Sequence, residues 1–155
     1  MSEIEDKKDL QGLGGWLVLV GLGLVLTPIR LIYSLVTDHL PLFESNAWQN
    51  VTAVHPLLPS LLWGEIILNL GMVLVSLYLL YLFFATKKQF PKIYIGLVVF
   101  ALVFILTDAL IVQSILPNDQ TDADTIKEIV RIAIMVAIWV PYMLRSKRVK
   151  ATFIR

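Results

Sequence analysis

The chain has no cysteine. A disulfide framework, a thiolate nucleophile and a cysteine-ligated metal are therefore excluded. Histidine is nearly as scarce, with only His39 and His55. Both fall in one polar stretch with Glu44, at a spacing that matches no metal motif, and they read as solvated loop histidines with no metal bound. There is no His-Glu-x-x-His, no Gly-x-Ser-x-Gly and no phosphate-binding glycine loop, so no enzyme, catalytic residue or cofactor is expected. Charged residues make up only 16% of the chain, against about a quarter in a soluble domain. Lys and Arg are also missing from two whole stretches, residues 38–59 and 117–124.

What is present is apolar. Hydrophobic residues form 57% of the chain, and Leu, Val and Ile come in long runs rather than on one face, as in segments solvated by lipid. Residues 61–84 form the central run, long enough to cross a bilayer, which takes about 20 apolar residues. Four runs predict helices at about 13–36, 60–85, 93–116 and 126–144. The fold class expected is an all-α membrane protein: one domain over residues 1–155, with four transmembrane helices in an antiparallel bundle. Residues 1–11 read as a short solvated tail. The first run lacks the short apolar core and cleavage site of a secretory signal, so it reads as an uncleaved helix.

The cations set the threading. Two lie in the N-terminal tail, three in the turn after the second run (Lys87, Lys88, Lys92) and five after the fourth run, including Arg145, Lys147, Arg148 and Lys150. This alternation places both termini in the cytoplasm and loops 38–59 and 117–124 in the periplasm. The basic residues read as surface anchors beside anionic lipid, with no nucleic-acid role. Trp16, Trp139 and Tyr142 are expected at the inner interface, Tyr33 and Trp63 at the outer. Asn50-Val51-Thr52 is a glycosylation sequon, relevant only in a host that glycosylates that face. Residues 45–52 predict a short interfacial helix with Trp48 turned toward lipid, and Thr125 with Glu128 reads as a capping box. Thr27-Pro28 predicts a kink in the first helix.

Gly12, Gly14, Gly15, Gly21 and Gly23 crowd the start of the first helix. Such glycines let helices approach closely in lipid. The expected partners are thus the bilayer itself and another membrane protein, or a second copy, against that helix.

Ionisable residues inside the runs are costly, and each needs an answering group. Past the first turn of the runs there are four: Arg30, Glu65, Asp108 and Arg131. Arg30 and Asp108 lie about 24 Å from the inner ends of their helices at 1.5 Å per residue. Glu65 and Arg131 lie about 6 and 8 Å in from the outer ends. With alternating directions all four reach one outer layer, which predicts Arg30–Glu65 and Asp108–Arg131 pairs or one intramembrane charge network. Glu65, Asn69, Met72 and Ser76 share a stripe of the second helix. The polar line fades inward, as a structural clamp or an outer pocket would have it. The function expected is a non-enzymatic accessory or interaction component. The alternative is a small-molecule or proton-coupled transporter, or a ligand-binding bundle, with a pocket open to the periplasm around Arg30, Glu65, Asn69, Asp108 and Arg131.

Leu13-Gly14-Gly15-Trp16-Leu17 at the entry, with Trp139-Val140-Pro141-Tyr142 and Ser146-Lys147-Arg148-Val149-Lys150-Ala151-Thr152-Phe153 at the end, carries a resemblance. In these residues the chain resembles a family of small bacterial membrane proteins, domain of unknown function 2569. The resemblance covers nearly the whole chain and is most specific at the two ends. It implies a multi-pass protein of the bacterial inner membrane with four helices, and it brings no catalytic residues.

Overall fold

The computed structural model describes residues 11–43, 47–115 and 123–155, nearly all of them helical, with no strand among the described residues. The tail 1–10, Glu44 and most of loop 117–124 lie outside the described residues. In chain order the helices are α1 (Trp16–Ser34), a π-helical turn (Leu35–His39), a 3-10 turn (Leu40–Phe43), α2 (Ala47–Val54), α3 (Leu58–Phe84), α4 (Phe90–Ile115), α5 (Ala123–Arg145) and α6 (Lys147–Thr152).

Among the described residues three segments are long and apolar enough to cross a membrane: Trp16–Phe43, Leu58–Phe84 and Phe90–Ile115. The fourth expected span, α5, is a helix of 23 residues, but its first turns carry Asp124, Lys127, Glu128 and Arg131. Its uncharged part, residues 132–144, is about 20 Å long, short of a hydrocarbon core of about 30 Å. The Thr125–Glu128 capping box is displaced: the helix is already formed at Ala123, so Thr125 sits inside the first turn rather than capping it.

The first helix runs past its expected end at 36. Asp38 marked a boundary in the sequence because a carboxylate ends an apolar run. Here the Ser34 and Thr37 hydroxyls donate to its two oxygens at 2.6 and 2.8 Å, so the charge is answered locally and the helix continues. Thr37 Oγ1 also lies 3.0 Å from the Tyr33 carbonyl. The single hydroxyl proton serves one of these acceptors at a time, and when it goes to the carbonyl it competes with the backbone ladder beside the π-turn. Within α1, Pro28 interrupts the ladder, and the Thr27 hydroxyl donates to the Gly23 carbonyl at 2.7 Å.

The described chain divides into two compact parts, one formed by the residues up to Gly21 with Leu79–Arg155, the other by Leu22–Tyr78. In the first part α4 and α5 pack on each other, and Phe83, Phe90, Tyr94 and Phe153 form a buried aromatic knot. Gly21 is required there by close approach: a Cβ would sit 2.9 Å from the Phe83 ring. In the second part the π- and 3-10 turns, α2 and the start of α3 gather around Phe43, Trp48 and Trp63, whose ring centroids lie 5.7–5.8 Å apart.

α3 ends in a Schellman motif. Lys87 N–H donates to the Leu82 carbonyl and Thr86 N–H to the Phe83 carbonyl, at 2.9 and 3.1 Å. Thr86 holds the left-handed position at φ 51°, where glycine is usual.

Candidate functional site

The segment before α1 meets α6. The Gly12 amide donates to Thr152 Oγ1 at 3.2 Å, and the Thr152 hydroxyl donates to the Gly12 carbonyl at 3.1 Å. Gly14 and Gly15 lie under the Arg148 guanidinium, where added Cβ atoms would fall 3.1 and 3.6 Å from its nitrogens. Gly15 has φ +60° and Gly12 φ +110°, which only glycine adopts without strain. Trp16 meets Trp139 edge to face at 6.5 Å, and Trp139 meets Tyr142 at 5.8 Å.

The basic end expected to be a lipid-drawn tail is instead folded into the core. Ser146 caps α6 by accepting from Val149 N–H. Val149, Thr152 and Phe153 are buried, while Lys147 and Lys150 face out. The last residues then bond to the α3–α4 turn: Lys88 N–H donates to the Arg155 carbonyl at 2.6 Å and Arg155 N–H to the Thr86 carbonyl at 3.4 Å. This brings Lys87 and Lys88 beside the cations of the chain end. Lys88, Lys92, Arg145, Lys147 and Lys150 are exposed; Lys87 and Arg148 are half-buried. An alternation of small, basic and apolar residues in 146–153 was the signal of a helix with one buried face, and it was overlooked because the basic residues dominate.

The second cluster lies in the Leu22–Tyr78 part. Glu65, on α3, faces His39 Nε2 at 3.4 Å, with side-chain exposures of 19% and 10%. This corrects the reading of His39 as a solvated loop histidine. Once the helix runs on past Asp38, His39 comes round to the buried face that carries Leu24 and Pro28. Helical continuity up to Pro41 was the signal that could have found it. His55, in contrast, is half-buried and accepts the Leu57 amide at Nδ1, 3.2 Å away.

The other candidates fall as follows. Asn69 and Asp108 are half-buried, and Arg30 is exposed. Arg131 is exposed, with Nη1 3.4 Å from Glu128 Oε2 on its own helix. The stripe on α3 does face inward: Met72 and Ser76 are buried, and the Ser76 hydroxyl donates to the Val73 carbonyl at 2.7 Å. Further along α3 the inward positions are Leu79, Leu82 and Phe83. Among the described residues no group of His, Asp and Glu could hold a metal ion. The groove beside α2, lined by Trp48, Gln49, Thr52 and Ala53, is shallow and open.

The glycines expected to receive another helix are mostly occupied within the chain. Gly14 and Gly15 meet Arg148 and Gly21 meets Phe83, whereas Gly23 has open space beside it.

The sequence model of a family described as "Protein of unknown function (DUF2569)" matches residues 10–154, so the match begins and ends at the two segments that clasp. Inner membrane protein YdgK of Escherichia coli (strain K12) is 29% identical over 151 residues, covering 93% of this chain and 94% of that protein. No solved structure matches the chain. The chain belongs to the DUF2569 family and is a multi-pass inner-membrane protein.

Proposed function

We propose that the protein is a non-enzymatic accessory component of the inner membrane, threaded four times with both ends in the cytoplasm. The observation that carries this reading is the clasp. The glycine turn before α1 and the helix α6 hold each other by two hydrogen bonds and by Arg148 over Gly14 and Gly15. A basic platform tied together by these contacts suits a part that docks beside another membrane component, since a site on pre-organised elements loses little entropy on binding. The distribution of cations, none in 38–59 or 117–124, supports a cytoplasmic platform under the positive-inside rule. In that threading α5 is the fourth span, its charged first turns lying at the outer interface.

A transport path is supported less well. The polar stripe of α3 stops at Ser76, and the buried positions after it are Leu79, Leu82 and Phe83. A conduit needs polar groups or water through the apolar middle. Glu65, Asn69, Arg30, Asp108 and Arg131 then serve to fix helix register near the outer surface, with acid–base pairing between helices as the means. In this reading a further helix associates at Gly23, a choice supported by the room beside that glycine.

The test is extraction of the native membrane into polymer-bounded lipid discs, followed by native mass spectrometry. A defined assembly larger than one chain, lost on replacing Gly23 with Leu, is expected. A single chain with lipid only, from undisturbed membranes, contradicts the accessory reading.

A further inference from the structure

Closing the clasp gathers charge of one sign. Residues 86–92 hold three cations and residues 145–155 hold five, with no Asp or Glu in either stretch. Both stretches belong to the part formed by the residues up to Gly21 with Leu79–Arg155, and backbone bonds between Thr86, Lys88 and Arg155 bring them together. Among the described residues no ion pair joins any of these cations to a carboxylate. Like charges gathered by a fold repel, and an anion bound among them relieves the repulsion.

The surroundings say which kind of anion. Trp16 is 63% exposed and meets Trp139 edge to face, and Trp139 meets Tyr142. Such rings settle at the headgroup level of a membrane, and Trp16 directly follows Gly15, which lies under Arg148. Within this part the first apolar segment starts at Trp16, the second ends at Phe84 and the third starts at Phe90. The cations therefore stand where apolar helices leave the hydrocarbon. Exposed Phe84, Leu144 and Ile154 neighbour them in sequence. A phosphate that carries acyl chains satisfies both kinds of side chain at once.

We propose that Lys87, Lys88, Lys147, Arg148, Lys150 and Arg155 form a site for one anionic phospholipid whose headgroup joins two phosphates. Two groups of cations are fixed toward opposite ends of α6. At its start Arg148 is held over Gly14 and Gly15, and its planar guanidinium suits a phosphate gripped through two N–H bonds. Beyond its end Arg155 is tied through its backbone to Lys88 and Thr86, at 2.6 and 3.4 Å. Between these points Lys147 and Lys150 face out while Val149 and Thr152 are buried, and three residues apart the two lysines share one face. Two joined phosphates reach both groups for one loss of translational freedom, which two separate lipids incur twice. Independent surface anchors, by contrast, respond to total charge and not to the lipid that carries it. The site deepens the reading of this surface as a docking platform: it rests on the clasp, and on no protein partner.

The full chain is purified in mild detergent and titrated with tetraoleoyl cardiolipin or dioleoyl phosphatidylglycerol at equal total phosphate, and the lipid retained per chain is read by native mass spectrometry. One cardiolipin per chain is expected, held more tightly than phosphatidylglycerol by at least about tenfold, the low side of what joining two binding groups gives. Lys88→Gln with Lys150→Gln removes two exposed cations of the site and should bring the two lipids toward parity. Lys7→Gln with Lys8→Gln removes the same charge from the N-terminal tail and should keep the preference. Equal retention of the two lipids by the parent, an unchanged preference in the first double variant, or an equal loss in both double variants overturns the site. If the first double variant fails to fold, a cardiolipin with a photoreactive group beside its phosphates, crosslinked to the parent, decides instead. Adducts within residues 86–92 and 145–155 support the site, and adducts only elsewhere overturn it. Lipid retention is read on the purified chain and assembly in native membranes, so the lipid site and the accessory role fail separately.

Discussion

Gly12 and Thr152, 140 positions apart in sequence, bond to each other twice, amide to hydroxyl and hydroxyl to carbonyl. Thr152 is 5% exposed, so water does not readily replace it. Thr152→Val removes both bonds while keeping the shape, and leaves the Gly12 backbone without its partner. A loss of about 1–3 kcal/mol is expected. Thr152→Ser keeps both bonds and should cost under about 1 kcal/mol for one methyl. Denaturant or thermal unfolding in detergent, followed by circular dichroism, separates the two.

Gly21 and Gly23 sit two residues apart on α1 and should respond in opposite directions. A methyl on Gly21 meets the Phe83 ring at 2.9 Å, and that ring is held by Phe84, Phe90 and Phe153. Gly21→Ala is expected to cost about 1–3 kcal/mol through overpacking. Gly23 has nothing within 4 Å, so Gly23→Ala should gain about 0.5–1 kcal/mol of helix stability in the isolated chain. Melting temperatures of the purified variants check the order.

At the start of α5 the Lys127 ammonium donates to Asp124 Oδ1 at 2.7 Å. This hydrogen bond, then the charge behind it, holds the exposed Asp124 carboxyl below its ordinary range. The folded value is the lower one. Any stability the pair gives is therefore present above the ordinary aspartate range, near pH 4, and is lost as pH falls through the lowered value. Carbon-13 titration of the Asp124 carboxyl should show a midpoint below that of an unstructured peptide, and Lys127→Met should return it.

Threading is open to a direct check because the chain has no cysteine. Single cysteines at Gln49 and Lys150, both exposed, are expected to react with an impermeant maleimide from opposite sides, Gln49→Cys in intact spheroplasts and Lys150→Cys only after the membrane is opened. Labelling of both from one side contradicts the four-span threading.

The membrane class and the three long apolar helices were legible because lipid demands unbroken apolar runs, and such runs need no tertiary knowledge to see. Helix ends were less so. Asp38 reads as a boundary until its hydroxyl partners are known, and Thr125 reads as a cap although the helix has already begun. The basic end misled for a different reason. A short helix with Val149, Thr152 and Phe153 on one side looks like a charged tail when its partner surface, the glycine turn at Gly12, 140 positions before Thr152, is out of view. Glu65 was found by its cost in an apolar run, but its partner His39 was missed, since a histidine beyond an apparent helix end carries no burial signal of its own.

The central claim is that the two ends of the chain close on each other within one molecule. Cysteines at Gln11 and Ala151, adjacent in sequence to Gly12 and Thr152, should be joined by a short bismaleimide in the native membrane, within a single chain and independently of protein density. Reaction of each cysteine singly, with no link formed within a chain or with links only between copies, contradicts the clasp and the platform built on it.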